Sequence, residues 1–283
     1  MRSWTRTRTA VIGGFLLGLS ITVVPATAAR AADTVKPKLT VPPYAQFLQG
    51  AQLGPTSYLS DGSAINYSIP VTVGWSATDA SGICGYTLKQ VNAGGPPDTL
   101  LSRTNQTSYQ STVTDYTNQE GGGGGWPTGY SLTAFDCAGN QTTKAISTTP
   151  TLTQDDNSND WQWSGAVDIA YSGAWQESLC ACYDAGSVQK TTAKGATATI
   201  TFAANAQDSI ALVMEKGANR GRFTVFVDGV NRGTIDNYSR TTLHKVIAWA
   251  GRVTTSGDHV VRVVNQATSG RPRIDLDAVL RMY

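Results

Sequence analysis

Residues 222–236 read RFTVFVDGVNRGTID, and this stretch decides the fold. Apolar and polar side chains alternate through 222–227, which places the apolar ones on one face of a strand. Asp228-Gly229 follows directly and is a strong signal for a two-residue hairpin loop. Residues 230–236 continue as the returning strand. The segment therefore predicts an antiparallel β-hairpin.

The same pattern recurs along the chain on both sides of this hairpin. Short runs rich in β-branched and aromatic residues alternate with turn residues; they lie at 65–75, 83–91, 108–116, 130–135, 196–202, 210–214, 245–250, 259–265 and 274–282. Only 15% of the residues are charged, which excludes a coiled coil or a solvated helical array. The sequence predicts an all-β protein with strands at the spacing of a sandwich or jelly roll.

Proline and glycine mark two local features. Pro70 lies inside an apolar run, and its missing N–H predicts an edge position or a strand start. Residues 121–125 are five consecutive glycines, which favour a mobile hairpin tip because they have no side chains to pack.

The N-terminus has the three parts of a secretory signal peptide. Three arginines within the first eight residues precede an apolar run at 10–24, and small residues with A-x-A spacing follow it. This predicts export, with cleavage after Ala28 or Ala31. The apolar run is shorter than the ~20 residues of a membrane span. No membrane anchor is therefore expected in the mature chain.

Net charge argues against nucleic acid as a partner. Removal of residues 1–31 takes away four arginines and no acidic residue, so the net charge changes from +2 to −2. No basic stripe remains along the sequence to bind phosphates.

The length of 283 residues suits two domains. Residues 148–160 are polar and have no apolar period, which predicts a linker there. The expected organisation is a signal peptide at 1–31, an extended leader at 32–45, a β-sandwich at 46–150, a linker at 151–160 and a second β-sandwich at 161–283.

Four cysteines in an exported chain are expected to be oxidised. The spacing suggests a structural bridge between Cys84 and Cys137. Cys180 and Cys182 form a C-x-C pair, which in an extended strand is near the long limit for a disulfide, so this pair needs a turn or stays reduced. The two histidines, His244 and His259, lie far from this pair in sequence, so the residues do not favour a zinc site.

The first half resembles the bacterial immunoglobulin-like or fibronectin-III-like modules of secreted proteins. The resemblance rests on residues 75–83 (WSATDASGI), Gly85-Tyr86, 130–136 (YSLTAFD) and 138–140 (AGN). It implies a β-sandwich in which Trp75, Tyr86 and Tyr130 are core or corner aromatics.

The second half resembles the galactose-binding-like jelly rolls of actinobacterial secreted enzymes and surface proteins. The resemblance rests on residues 163–165 (WSG), 195–202 (GATATITF), 219–225 (NRGRFTV), 227–229 (VDG), 235–239 (IDNYS), 257–264 (GDHVVRVV) and 274–279 (IDLDAV). It implies a carbohydrate-binding role, as in many members of this family, without naming a sugar.

The sequence predicts no catalytic site. It has no H-E-x-x-H, G-x-S-x-G or phosphate-loop motif. Asp275 and Asp277 share a strand face about 6.6 Å apart, a spacing that invites comparison with a glycosidase carboxylate pair. The structural interpretation is favoured, because the jelly-roll family has a recurring Asp at the place of Asp277. His259 is likewise interpreted as a framework residue bonded to a neighbouring loop.

Candidate ligand-binding residues are aromatic rings and planar polar groups expected in the loops of the second half. Aromatic faces pack on the C–H surfaces of sugars, and planar polar groups bond their hydroxyls. The candidates are Trp175, Tyr183, Asn219, Arg220, Asn237, Tyr238 and Arg271.

Calcium is the metal that the sequence allows. The resemblance allows a structural Ca²⁺, and the oxygen-rich residues Asp155, Asp156, Asn157 and Asp160 are its expected ligands. No loop has the D-x-D-x-D-G spacing, and no other cofactor is expected.

The expected function is that of a secreted, monomeric, non-catalytic carbohydrate-binding or adhesion protein. Its expected partner is extracellular or cell-wall polysaccharide, bound through the C-terminal jelly roll. Two alternatives stay open: a secreted glycan-active hydrolase with an unrecognised site, and a structural protein-interaction module without a glycan ligand. A jelly-roll surface without an exposed aromatic cluster would favour the last.

Overall fold

The computed structural model describes residues 33–58, 64–91, 96–115, 128–148, 150–154 and 167–282. These residues form nineteen strands and one short 3-10 helix, so the predicted all-β class is confirmed. The predicted signal peptide and the five-glycine run lie outside the described residues.

The first eight strands form two four-stranded sheets that face each other. In one sheet, β3 (Ala64–Thr78) pairs along one edge with β1 (Lys38–Phe47) and β2 (Gly54–Tyr58) and along the other with β6 (Ser108–Asp115). The other sheet has the order β5 (Asp98–Thr104), β4 (Ile83–Val91), β7 (Thr128–Asp136), β8 (Gln141–Thr148).

Pro70 lies in the middle of β3, not at an edge or a strand start as the sequence predicts. β2 pairs with β3 only up to Ser68, and β1 pairs only from Val71 onward. The carbonyl of Pro70 accepts a bond from Leu48 N at 2.9 Å on this same edge. The proline nitrogen therefore faces the gap between β1 and β2, where a missing donor costs no ladder bond.

The second half is a sandwich of a five-stranded and a six-stranded sheet. The five-stranded sheet has the order β10 (Asp168–Ser172), β13 (Thr197–Ala204), β18 (Gly257–Asn265), β15 (Arg222–Val227), β16 (Val230–Asp236). The six-stranded sheet has the order β11 (Gln176–Leu179), β12 (Ser187–Thr191), β19 (Ile274–Met282), β14 (Ser209–Lys216), β17 (Leu243–Arg252), with β9 (Pro150–Gln154) also on β19. The predicted hairpin at Asp228-Gly229 joins β15 to β16.

Both faces of the six-stranded sheet are buried. Its inner face packs on the five-stranded sheet, and its outer face contributes to the core of the first half. The outer-face residues in that shared core are Ala211, Val213, Ile247, Ala278, Leu280 and Met282. The described residues between 33 and 282 therefore belong to one compact unit, with two hydrophobic cores that share the six-stranded sheet.

The segment boundaries also differ from the expected ones. Residues 38–45 of the expected leader belong to β1, and residues 151–154 of the expected linker belong to β9. β9 pairs antiparallel with β19, which ties the junction to the second half. The remaining linker residues, 155–160, lie outside the described part of the chain.

Candidate functional site

Three loops meet at one end of the second sandwich. They span residues 217–222, 236–242 and 266–273, and together we call them the three-loop face. Backbone bridges join Gly217 to Tyr238 and Arg220 to Arg273. Two further backbone bonds run from Gly221 N to the Arg273 carbonyl at 2.8 Å and from Asn237 N to the Gly221 carbonyl at 3.1 Å. Because their backbones bond to one another, the loops hold their side chains in a defined arrangement.

Gly221 permits this close packing. A Cβ atom there would overlap the carbonyl oxygen of Arg271 and approach Thr268. A residue with a side chain would push the first and third loops apart. Glycine at this position is therefore required by the approach of the two backbones.

Tyr238 is the exposed centre of the three-loop face. It is 48% exposed, and among residues 167–282 it is the only exposed Trp, Tyr or Phe. The guanidinium of Arg271 lies 4.9 Å from the centroid of its ring. Such a cation on one face of a ring fixes the orientation of the ring. The tyrosine thus presents a preorganised aromatic surface to solvent.

Asp236 anchors the arginines around Tyr238. It accepts from Arg271 Nη1 at 2.8 Å and Nη2 at 3.2 Å, and from Arg222 Nε at 3.1 Å. The bonds from Arg271 hold the pKa of the Asp236 carboxyl well below its usual range. Asp236 also accepts from the backbone N–H of Tyr238 at 2.9 Å. One permanently charged carboxylate therefore orients the ring and both guanidinium groups.

Arg220 supports the face from below rather than on its surface. It is 7% exposed, and its Nε donates to Asp275 at 2.7 Å. Arg273 pairs with the same carboxylate. Asn219 is exposed and accepts from Arg220 Nη1 through its Oδ1 at 2.6 Å. Arg220 is therefore a structural partner of Asp275, and Asn219 alone of these two candidates reaches solvent.

Asn237, another sequence candidate, is fully buried. Its Nδ2 points to Met214 Sδ at 3.7 Å, inside the sandwich. The side chain alternates inward from the exposed Tyr238 that follows it. It therefore lies behind the three-loop face and not on it.

Trp175 and Tyr183 are not exposed rings. Trp175 is partly buried and packs on Tyr171 with ring centroids 4.9 Å apart. Tyr183 is 6% exposed and lies edge-on to His244 at 5.9 Å. The exposure expected for Tyr183 is wrong, because the turn that carries it folds down over the sheet.

A buried group of titratable side chains lies under that turn. Glu215, Asp275 and Asp277 are fully buried, and Asp184 is 1% exposed. His244 Nδ1 lies 2.6 Å from Glu215 Oε2. Sequence reasoning found Asp275 and Asp277 but missed Glu215 and His244, because β14 and β17 bring these two together only by pairing.

The environment of this group changes its titration. Burial, with a smaller contribution from the Asp275 charge, raises the pKa of Glu215 to about 8. Burial also lowers the pKa of His244, and the nearby Lys245 adds to this effect. Both shifts favour the uncharged form of each group, so this short contact is not an ion pair. The pKa of Asp277 is raised well above its ordinary value, first by burial and then by Asp184.

The turn that covers this group joins the two halves of the molecule. Residues 180–186, here called the covering turn, include the Cys180–Cys182 disulfide and the 3-10 helix η1 (Asp184–Gly186). Asp184 N donates to Asp277 Oδ1 at 2.9 Å, and Asp184 Oδ1 accepts from Tyr67 of β3 at 2.6 Å. This chain of bonds connects the first sandwich to the last strand.

Both cysteine pairs form disulfides. Cys84 and Cys137 are bridged across 53 residues, as the spacing suggests. Cys180 and Cys182 are bridged with Cα atoms 5.1 Å apart. A backbone bond from Tyr183 N to the Cys180 carbonyl at 3.0 Å closes the turn that this short bridge requires.

His259 is a framework residue in the structure. Its Nδ1 lies 2.8 Å from Asp228 Oδ2 and its Nε2 lies 3.0 Å from the Thr255 carbonyl. The bond to Asp228 raises the pKa of His259. The imidazole thus joins the 228–229 hairpin to a neighbouring loop.

Three carboxylates lie close together in the first half of the chain. Oxygen atoms of Asp33, Asp79 and Asp136 lie within 4.8 Å of one another. Asn140 already bonds both oxygens of Asp136, so this grouping alone does not assign an ion. The calcium ligands expected from the sequence, at 155–157 and 160, lie outside the described residues. Calcium therefore stays a prediction.

No described helix is long and apolar enough to cross a membrane.

Similarity to known proteins was found in the three-dimensional structure and not in the sequence. The sequence matches no protein-family model and no curated protein. Similar solved structures include the CBM36-1 domain of a multidomain xylanase from the hindgut metagenome of Trinervitermes trinervoides, with 12% identity, TM-score 0.31, and 47% of this chain and 96% of that chain covered. A carbohydrate-binding module CBM36 in complex with calcium and xylotriose has 11% identity and TM-score 0.30, covering 47% and 99%. CBM35 from Cellvibrio japonicus Abf62 has 13% identity and TM-score 0.33, covering 48% and 96%.

Proposed function

We propose that this chain is an exported, non-catalytic protein that binds extracellular or cell-wall polysaccharide through the three-loop face. The N-terminal signal pattern supports export, and the paired sandwiches supply a rigid support for the face. The first sandwich acts as a spacer or adhesion module in this proposal.

The observation that carries the proposal is the exposed, oriented ring of Tyr238. An aromatic ring that faces water offers sugar C–H groups a surface to pack on. Arg271 and Asp236 hold it in place, so little side-chain entropy is lost on binding. Asn219 and Arg222 are exposed beside it and offer hydrogen bonds to hydroxyl groups.

The position of the carboxylates favours binding over hydrolysis. A glycosidase needs two carboxyl groups on either side of a bound sugar. Asp275 is fully buried and is held by Arg220 and Arg273, while Asp277 is fully buried beneath the covering turn. Neither carboxylate faces a surface that a polysaccharide can reach.

A second candidate is a protein-interaction module. The surface of residues 167–282 offers one exposed aromatic ring rather than a cluster, and tyrosine and arginine are also common at protein interfaces. A folded chain that binds no glycan would favour this candidate.

Binding isotherms of the mature chain on immobilised polysaccharides and cell-wall fractions test the proposal. We expect saturable binding that Tyr238→Ala weakens at least tenfold. Val230→Ala is the matched control, because Val230 is 55% exposed at the opposite end of the β15–β16 hairpin. Release of reducing ends is measured in the same samples. Unchanged binding by Tyr238→Ala, or sugar release, would contradict the proposal.

A further inference from the structure

The three-loop face has a strong excess of positive charge. Residues 217–222, 236–242 and 266–273 contain five arginines and one aspartate, and with the buried Asp275 behind the face included the local net charge is +3. The chain without residues 1–31 has a net charge of −2. The arginines come from three different loops; they are Arg220, Arg222, Arg240, Arg271 and Arg273. Folding therefore concentrates positive charge that no single stretch of sequence shows.

Three of the five arginines are already committed inside the protein. Arg220 and Arg273 both pair with the buried Asp275. Arg271 uses Nη1 and Nη2 on Asp236, and Nη1 also donates to the Arg220 carbonyl at 3.0 Å. These side chains build the face and leave little donor capacity for a ligand.

Arg222 and Arg240 are available to a ligand. The Arg222 side chain is 57% exposed and donates only its Nε to Asp236, which leaves its Nη groups in solvent. Arg240 is exposed, two residues after Tyr238, and no carboxylate in the described part of the chain lies within salt-bridge distance of it. A guanidinium with free Nη groups matches carboxylate and phosphate oxygens in a two-bond geometry.

We propose that the polysaccharide bound at the three-loop face is anionic, with carboxylate or phosphodiester groups on or between its sugars. Arg222 and Arg240 bind the anionic groups while Tyr238 packs against a sugar ring. This inference rests on the proposed function and adds the class of ligand. A single exposed ring suits one sugar between charged groups, whereas single-stranded nucleic acid is held by a series of stacked bases.

The test compares four probes on the full mature chain at low and high salt. The probes are polygalacturonate, a poly(glycerol phosphate) polymer, neutral xylan and oligodeoxythymidylate. We expect at least tenfold tighter binding to one anionic glycan than to xylan, with an affinity that falls steeply as salt rises. The two anionic probes distinguish carboxylate from phosphate as the source of charge.

The variants Arg240→Gln and Arg222→Gln separate charge recognition from folding. Each is expected to weaken anionic binding at least fivefold and to reduce its salt dependence, and Arg240→Gln is expected to leave weak xylan binding unchanged. Arg240→Gln removes no ion pair of the described chain, so its fold is expected to be intact. Arg262→Gln is the control, because Arg262 is exposed on β18, where it stacks on Phe226 at 4.7 Å, and its loss changes net charge equally.

The outcomes distinguish this inference from the proposed function. Equal or tighter binding to xylan that still needs Tyr238 would overturn the anionic ligand and leave glycan binding standing. Binding to no glycan would overturn both. Tighter binding to oligodeoxythymidylate than to either anionic glycan would replace the inference with nucleic-acid binding. An equal effect of Arg262→Gln would show that net charge alone acts.

Discussion

At the scale of single residues, Glu215 and Gly221 show how local chemistry supports the three-loop face. Glu215 is a carboxyl group held neutral by burial, and it lies 2.6 Å from His244. Gly221 lets two backbones come closer than any side chain would allow. For each of these residues the chain offers a control position of the same residue type: Glu177 for Glu215 and Gly217 for Gly221.

Glu215→Gln is expected to remove a pH dependence of stability. Because the folded-state pKa is raised from 4.5 to about 8, the folded state retains a proton that the unfolded state loses. The stabilisation is complete below pH 4.5 and is lost as the pH rises to about 8. The slope is at most ~1.4 kcal/mol per pH unit.

Urea unfolding at pH 7, 7.5 and 8 measures this effect. This pH range lies above the ordinary pKa of His244. The lowered pKa of His244 changes the free energy of unfolding in the opposite direction, and it does so at lower pH. We expect the free energy of unfolding of the wild type to fall relative to Glu215→Gln as the pH rises. The exposed Glu177→Gln serves as control. A constant difference across the window would refute the neutral carboxyl.

Gly221→Ala is expected to destabilise the chain and to weaken ligand binding. The added Cβ overlaps the Arg271 carbonyl, and overpacking of this kind costs about 1–3 kcal/mol. Gly217→Ala is the control in the same loop, since its Cβ would make only ordinary contacts at 3.7 Å. Thermal unfolding and binding are measured for both. Equal behaviour of the two variants would show that the loops tolerate separation.

At the scale of elements, the covering turn is the part whose structure depends on both halves. The short Cys180–Cys182 bridge shapes it, and Lys245 Nζ donates to the Cys182 carbonyl at 2.9 Å. Asp184 then bonds Tyr67 on one side and Asp277 on the other. The pairing of β14 with β19 shifts register at Asp277. This irregularity directs the Asp277 side chain to the covering turn.

Tyr67→Phe is expected to destabilise the chain by about 1–3 kcal/mol, the range for a buried polar group that loses its hydrogen-bond partner. The reason is that Asp184 stays buried after losing the Tyr67 hydroxyl. Tyr67→Phe, Asp184→Asn and the double variant form a cycle that isolates their coupling. Strictly additive losses would show that this bond does not link the two halves.

At the scale of the whole molecule, the six-stranded sheet is a central layer. Its outer face has six apolar residues in the core of the first sandwich. Removal of the first sandwich would expose them together, and exposed patches of this kind cause association. The two halves are therefore expected to unfold as one cooperative unit.

A fragment of residues 150–283 is expected to melt at least 10 °C lower than the mature chain or to aggregate. Calorimetry and sedimentation measure this, and the mature chain should show a single transition. Val213→Thr and Ile247→Thr together are expected to improve the solubility of the fragment and to destabilise the mature chain. A monomeric fragment with the melting temperature of the mature chain would refute the shared core.

Much of the fold was predictable from the sequence. Alternation and the Asp228-Gly229 pair predict the β15–β16 hairpin, and the cysteine spacing predicts the Cys84–Cys137 bridge. The shared core was not predicted, although β14 has a continuous apolar run at 210–214. Such runs indicate strands buried on both faces, but they do not show which partner covers the second face.

The candidate site was predictable only in part. Five of the seven candidates, Asn219, Arg220, Asn237, Tyr238 and Arg271, lie in or directly behind the three-loop face. The burial of Arg220 and Asn237 could not be predicted from the sequence, because the exposure of a side chain depends on residues that are distant along the chain. It also did not single out Asp236 and Arg222 as binding residues, since neither has a distinctive local motif.

The sequence by itself determined the all-β class, the turns and one disulfide, because side-chain alternation and turn chemistry act within a few residues. Only the tertiary structure decided the shared core, the contact of buried Glu215 with His244 and the positive three-loop face. These features depend on partners such as Arg220 and Asp275, which are 55 positions apart. Their pairing follows from strand order, which a single sequence does not specify.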